Sequence, residues 1–273
     1  MEEASRGHFT KVAIGNRRHL QPDNRIRRYF DTLYQSWGRQ HWWPAQSRFE
    51  VIVGAYLTQN TSWTNVERAL RNLREARILN ISGIRRAPLP RLERLIRSAG
   101  YFRQKARRIK LFVIFLDERY AGSLTRMFAQ PTAKLREELL GLEGVGQETA
   151  DSILLYAGNH PVFVVDAYTR RILDRHRLVD ARASYEEIRE LFERALGPKA
   201  ETLLGASSSR ALAGGPSGSC HVPSRMSTVQ RTAPAQVFSD MHGLIVGVGK
   251  NFCKKSQPAC ERCPLQKFLP GAE

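Results

Sequence analysis

The sequence predicts an all-α protein, and two observations carry that prediction. Apolar residues recur at spacings of three and four along most of the chain, and sustained two-residue alternation is absent. The β-branched run Val162 to Val165 is too short to argue for a sheet. From Asn24 onward, Ile26, Phe30, Leu33 and Trp37 mark a first helix. Phe49 to Leu57 is a dense apolar run that ends at Thr58-Gln59-Asn60. Thr64 and Glu67 have the spacing of a capping box, with Val66, Leu70 and Leu73 on one face behind them. Further helices are expected at Pro90 to Ser98, Gln104 to Tyr120, Thr132 to Leu140, Glu148 to Ala157 and Tyr185 to Ala195, and Gly100 suits a C-cap. Residues 1–22 are polar and basic and read as a flexible arm. Gly205 to Gln236 is rich in Ser, Gly, Ala and Pro, has too little apolar surface to order itself, and reads as a flexible insertion. Helical periodicity returns at Val237 to Val248 and leads into a group of cysteines.

A chain of 273 residues has room for one large core or two modest ones. Its net charge of +17 exceeds what solubility requires and points to a polyanionic partner, because every phosphate neutralised releases condensed counterions. No apolar run reaches membrane-spanning length, and the start of the chain lacks the basic-then-apolar layout of a signal peptide. The expectation is a soluble monomer in the cytoplasm, associated with the nucleoid and not with a membrane. Three of the four cysteines, Cys253, Cys260 and Cys263, fall within eleven residues. That is a poor disulfide framework and a better metal site. The fourth, Cys220, lies in the insertion.

The most telling stretch is Leu142 to Asp166. Leu142-Glu143-Gly144-Val145-Gly146 is a two-glycine turn between the helices at 132–140 and 148–157. Such a turn leaves backbone N–H groups free at a helix N-terminus, where they and the helix dipole bind an anion such as a phosphate. Asp166 follows behind the apolar run of Val162 to Val165. A carboxylate at the edge of an apolar wall stabilises a positive charge or orients a water, and it also suits a helix N-cap. On so basic a chain, the two devices point to an enzyme that grips DNA and attacks a nucleoside.

Leu142 to Asp166, with Gln59 upstream and the cysteines downstream, resembles the helix-hairpin-helix (HhH-GPD) DNA glycosylases of the endonuclease III superfamily. The likeness runs from roughly Ile26 to Leu265. It implies the two-domain fold of that superfamily: a six-helix barrel carrying the hairpin over residues 48–160, and a second helical domain built from 23–47 and 161–268. That second domain would carry the insertion 205–236 and end in the cysteine loop 253–263. The resemblance implies that Leu142, Gly144, Val145, Gly146 and Thr149 bind the backbone of double-stranded DNA. It places Asp166, in Val-Val-Asp-Ala-Tyr-Thr-Arg-Arg, as the essential carboxylate. It also places Gln59, in Leu-Thr-Gln-Asn-Thr, in the space left by a flipped nucleotide. Flipping is required because C1′ and the base are inaccessible in the stack. Breaking the N-glycosidic bond leaves an oxocarbenium-like sugar, which a nearby carboxylate stabilises.

Departures from the family pattern sharpen the expectation. Bifunctional members carry a lysine two residues past the second hairpin glycine, whereas Gly146-Gln147-Glu148 stands here. A glutamate forms no imine, so the resemblance implies a monofunctional DNA N-glycosylase of base excision repair without AP lyase activity. Glu148 is read first as a helix residue favoured by the dipole and only second as catalytic. Trp42-Trp43-Pro44 and Trp63 resemble the base pocket of the 3-methyladenine DNA glycosylase III branch, which implies alkylated purines such as 3-methyladenine as substrates; electron-rich indoles would stack on a cationic base. Cys253, Cys260 and Cys263 match the first three ligands of the family's [4Fe–4S] loop, with Leu269 at the fourth position; the alternative is no cofactor. The basic run Arg103 to Arg108 reads as a solvated helix face. Two other functions compete: an endonuclease III-like glycosylase and AP lyase acting on oxidised pyrimidines, and a non-catalytic DNA-damage-binding protein.

Overall fold

Helix α1 (Pro22–Trp37) opens on a proline, whose fixed φ suits a first turn and whose missing N–H has no partner there to lose. In this computed structural model, which describes residues 21–208 and 224–271, its inner stripe is Ile26, Tyr29, Phe30, Leu33 and Tyr34. Helix α2 (Arg48–Thr58) is capped by the Ser47 hydroxyl, which accepts from Glu50 N at 3.1 Å. Phe49 to Leu57 are buried all round, so α2 is the central rod of its group. Around it stand α3 (Trp63–Glu75), α4 (Ile81–Arg86), α5 (Leu89–Leu95), α6 (Phe102–Tyr120), α7 (Leu124–Phe128), α8 (Thr132–Leu140) and α9 (Gln147–Ser152). Helix α9 runs on into a π-helical turn, Ile153–Ala157. The chain then crosses as an extended segment to α10 (Ala167–Arg175), α11 (Tyr185–Leu196), α12 (Ala200–Ser208) and α13 (Ala233–Asn251). The described residues contain no strand.

The helices pack in two groups. Helix α2 contacts α3, α6 and the π-helical turn, while α1 contacts α11, α12 and α13, and α10 lies along α13. Helix α13 also meets the π-helical turn, so it faces both groups. Its apolar run from Val237 to Val248 is buried throughout, with Asp240 and His242 buried inside it.

Several elements differ from the sequence expectation. The capping box at Thr64 and Glu67 does not form. Ser62 is the N-cap residue of α3, and Glu67 instead accepts from the Trp63 indole N–H at 2.7 Å. Helices α4, α7, α10 and α12 were not expected from the sequence; α4 and α7, at six and five residues, are too short to show a period. Three of them are set by local caps, since Asn80, Ser123 and Asp166 each accept from a backbone N–H in the first turn. The expected flexible insertion is ordered at both ends. Ser224, Met226 and Ser227 are buried. Met226 N donates to Ala45 O at 3.0 Å, and Ala45 N donates to Ser224 Oγ at 3.1 Å. Helix α12 extends over Gly205 and α13 starts at Ala233, before the expected end of the insertion. The middle of that segment, 209–223, and most of the expected N-terminal arm, 1–20, lie outside the described residues.

One ion pair ties α8, α9 and α11 together. Arg136 clasps Asp151 with both arms, at 2.7 and 3.2 Å, and also reaches Glu186 at 2.7 Å. Asp151 is fully buried. Removing the guanidinium strands this carboxylate, so Arg136→Met should lower folding stability by about 3–5 kcal/mol. The measurement is the urea midpoint; a shift worth less than about 1 kcal/mol would mean that Asp151 does not depend on the pair.

Candidate active site

Asp166 sits where the extended segment turns into α10. Its Oδ1 accepts from Thr169 N at 2.7 Å and Thr169 Oγ1 at 2.8 Å, which makes it the helix cap. Its Oδ2 lies 3.6 Å from His242 Nε2. The other ring nitrogen, Nδ1, is 2.6 Å from the hydroxyl of Tyr156, which lies in the π-helical turn and is fully buried. Burial pushes the Asp166 carboxyl upward, but His242 and the Thr169 bonds outweigh it and hold the group below the usual carboxylate range. Asp166 is therefore an anion. Glu148 behaves oppositely. Its residue surface is open to solvent, yet crowding by protein around the carboxyl and the charge of Asp166 push its pKa up. Neighbouring carboxyls with pKa values driven apart are the usual signature of divided acid and base roles.

The hairpin lies in front of this group. Gly144 has φ +75°, so the backbone angle demands glycine; a Cβ there would also displace the Arg108 guanidinium that lies against it. Val145 N closes the turn on Leu142 O at 3.1 Å, and Val145 is buried beneath it while Leu142 is half-buried. Gly146 heads α9 with no side chain capping it. Gln59 is stitched to the hairpin: its Nε2 donates to Gly144 O at 2.9 Å and to Thr149 Oγ1 at 3.0 Å. Lys105 corrects the expectation of a solvated basic helix. It is only 2 % exposed, and its ammonium donates to the carbonyls of Leu57, Gln59 and Ala99 at 2.9, 2.7 and 2.8 Å. That lysine fixes the turn carrying Gln59 from behind, and Arg108 supports Gly144, while Arg103 and Arg107 remain exposed.

The three tryptophans part company. Trp43 is packed into the core, with its ring centre 5.2 Å from that of Tyr156 and 5.6 Å from that of Trp63. Its burial makes it a supporting wall, not a surface for a base. Trp63 is partly open and held by Glu67. Trp42 is also partly open; it meets His242 edge-on, and Lys250 Nζ lies 5.4 Å from its ring centre. Crowding lowers the Lys250 pKa, with Glu67 and Asp166 as the facing carboxylates.

A family model for HhH-GPD superfamily base excision DNA repair proteins matches residues 53–198, the span that holds Gln59, the hairpin and Asp166. The chain belongs to the HhH-GPD superfamily. It is 39 % identical over 245 residues to MJ1434 of Methanocaldococcus jannaschii, a protein assigned by its name only provisionally to the DNA repair glycosylases; the match covers 89 % of this chain and 94 % of that one. Endonuclease III of Thermotoga maritima is 27 % identical over 218 residues, 80 % of each chain. The crystal structure of H. pylori 3-methyladenine DNA glycosylase (MagIII) bound to 1,N6-ethenoadenine superposes with a TM-score of 0.64 at 26 % identity, covering 85 % of this chain and 98 % of that one. The protein is thus a DNA repair glycosylase with the all-helical endonuclease III fold.

In this HhH-GPD protein the cysteine loop closes against α10 and α13. Cys253, Cys260 and Cys263 line one small cavity together with Arg175, His176 and Leu269. Arg175 Nη1 donates to Cys253 Sγ at 3.2 Å, and Arg171 Nε donates to Cys253 O at 2.7 Å. Burial, with the other two thiols adding to it, pushes Cys263 up to about 11. Among the described residues no three His, Cys, Asp or Glu side chains are grouped to hold a single metal ion. Three thiols converging on one cavity do fit a cluster, which spreads its sulfur ligands over several irons, but Leu269 brings no donor to a fourth corner. Cys220 lies outside the described residues.

Sequence reasoning missed His242, Tyr156 and the burial of Lys105; it expected Lys250 with Lys254 and Lys255 on a basic loop against phosphates, whereas Lys250 lies in the last turn of α13 over Trp42. For His242 a signal existed, since Asp240 and His242 interrupt an otherwise apolar run. Tyr101 was also missed. It is 68 % exposed with φ +44°, and its carbonyl accepts from Lys105 N, the residue that anchors Gln59. An open aromatic on strained backbone, one helical turn before the lysine that anchors Gln59, has the chemistry to stack on a base. Tyr101→Ala should weaken duplex binding by about 1–3 kcal/mol with an unchanged Tm. Fluorescence anisotropy measures the first, and unaltered affinity would remove Tyr101 from the interface.

Proposed function

We propose that this glycosylase is monofunctional: it flips a damaged nucleotide from duplex DNA, hydrolyses its N-glycosidic bond and leaves the strand intact. The observation that carries the reading is a buried, anionic Asp166 facing Glu148 where a lyase would hold its lysine. The barrel, 48–160, and the second domain, 23–47 with 161–268, would grip a damaged duplex as a monomer. The hairpin N–H groups and the basic surface would hold phosphates, while Gln59 fills the space of the flipped nucleotide. As the bond to the base lengthens, positive charge develops on the sugar, and the Asp166 carboxylate stabilises it and orients the attacking water. Glu148, which keeps its proton to higher pH than an ordinary carboxyl, is suited to protonate the departing base.

Alkylated purines remain the favoured substrate class, supported by the likeness to MagIII, whose structure holds 1,N6-ethenoadenine. The favoured base is uncharged, a reading supported by Lys250 lying over Trp42. The sequence pointed to a cationic purine stacking on open indoles, but the Trp42 face already carries the Lys250 ammonium, and Trp43 is buried. A cation beside the pocket repels a cationic base, so uncharged adducts are preferred over charged ones such as 3-methyladenine. In the cysteine loop, Cys253, Cys260 and Cys263 would hold a [4Fe–4S] cluster. When bound, it would supply a cross-link that fixes the loop bearing Lys254 and Lys255 toward the DNA backbone.

One assay tests the central reading. Duplexes bearing 1,N6-ethenoadenine, 3-methyladenine, uracil or thymine glycol are incubated with the protein, then resolved with and without alkaline cleavage. Free base should appear, fastest from ethenoadenine, with strand breaks only after alkali. Asp166→Asn should slow release by about 100–1,000-fold while retaining DNA affinity. A borohydride-trapped adduct that disappears in Lys250→Met would replace the monofunctional reading with a lyase using Lys250. For the loop, purified protein should contain iron and acid-labile sulfide and show broad visible absorption, all lost in Cys263→Ala. Colourless wild-type protein without iron would exclude the cluster.

A further inference from the structure

Tyr156, His242 and Asp166 form a buried line joining the π-helical turn, α13 and the start of α10. They are 0, 5 and 9 % exposed. The direction of hydrogen bonding along the line follows from its ends. Burial keeps Tyr156 protonated far above the usual range, so its hydroxyl has a proton to donate. Donated to His242 Nδ1 at 2.6 Å, that proton leaves the imidazole hydrogen on Nε2, facing the Asp166 carboxylate. The other tautomer would turn a nitrogen lone pair toward an anion. Thr169 already holds Oδ1 with two bonds, so a donor at Oδ2 leaves the carboxylate no freedom to rotate. The 3.6 Å gap to Nε2 is longer than a hydrogen bond, close enough for an N–H dipole to steer the oxygen, and short enough to close as charge develops on the sugar.

We propose that neutral His242, oriented by Tyr156, is the positioning residue for Asp166, and that a second proton on His242 switches the site off. The inference rests on Asp166 being the acting carboxylate. A proton added at Nδ1 forces the Tyr156 hydroxyl to turn from donor to acceptor and makes His242 a cation. The imidazolium then forms an ion pair with Asp166 and cancels the negative charge that the sugar cation requires. The groups facing His242 are few. Asp166 comes from the cap of α10, Glu148 from the first turn of α9 and Tyr156 from the π-helical turn. The remaining neighbours, Trp42 and Phe163, meet the ring edge-on and carry no charge. Further out, Arg231 and Asp240 act on Tyr156, and Lys250 acts on Asp166.

The test is single-turnover excision between about pH 5 and 8, on whichever damaged duplex of the panel above is excised fastest. The wild-type rate should show an acid limb that depends on His242 and should fall again at higher pH, where Glu148 gives up the proton it donates to the base. His242→Leu, which fills the space without an N–H, should lose about 100-fold in rate at unchanged DNA affinity. His242→Gln offers an N–H to Asp166 but does not titrate; it should recover at least about tenfold of that loss and remove the acid limb, leaving the fall at higher pH that belongs to Glu148. Tyr156→Phe should retain the fold by circular dichroism and shift the acid limb. Equal loss in Leu and Gln variants with the acid limb intact, or wild-type rates in both, would overturn the inference. Asp166→Asn, run alongside, separates the two readings. Full activity there defeats the role of Asp166 and this inference with it, whereas inactivity there with wild-type behaviour in His242→Leu defeats the inference alone.

Discussion

An anionic carboxylate buried where two groups of helices meet is the constraint that organises this protein. Sealing a charge away from water is strongly unfavourable unless every lone pair finds a partner. Asp166 finds them by capping α10, by accepting from the Thr169 hydroxyl, and by facing His242. Each partner fixes a piece of architecture: α10 must start at Ala167, α13 must pass beside it, and the π-helical turn must deliver Tyr156 to the far side of the imidazole. The approach to Asp166 is fixed in the same way. Phe163 N donates to Glu193 at 2.9 Å and Val165 N to the Tyr185 hydroxyl at 3.3 Å, so α11 satisfies backbone groups that no strand partner reaches. Phe163 stacks on Phe192 with ring centres 4.1 Å apart, which locks the segment against α11.

The hairpin is held rigid from beneath by charges turned inward. Lys105 spans three carbonyls below Gln59, Arg108 occupies the space above Gly144, and Arg136 clamps Asp151 behind α9. A turn braced in this way presents its outer N–H groups without rearrangement, which suits a phosphate that offers the same charge on every DNA sequence. Part of the basic excess is therefore structural, and only the remainder faces the nucleic acid.

Around His242 and Asp166, aromatic rings stand beside a mixed set of charges. Trp42 and Trp63 stand partly open on opposite groups of helices, with Lys250 and Glu67 beside them. Asp166 and Glu148 lie near them with their carboxyl pKa values driven in opposite directions. The cysteine loop is bound to α10 through Arg171 and Arg175, so whatever fixes that loop also steadies the helix that Asp166 caps.

The all-α class was legible because amphipathic helices repeat their apolar residues visibly, and α1, α6, α8 and α11 stood close to where that period placed them. The hairpin and Asp166 were legible because Gly-x-Gly and a carboxylate behind an apolar run have narrow physical uses. The short capped helices α4 and α7 were not legible, since six and five residues carry too little period. Nor was the order around Ala45, Ser224 and Met226, which depends on partners nearly two hundred positions apart. The basic run marked Lys105 as solvated and the family resemblance placed Trp43 at the base pocket, but both side chains are buried. The sequence alone determined the helical class, the two-glycine turn, the position of the carboxylate and the missing lysine, because each is a local pattern of residue types. Only the tertiary structure decided that Asp166 keeps its charge, that His242 and Tyr156 stand behind it and that Lys250 covers Trp42, because charge state and neighbours depend on what folding buries together.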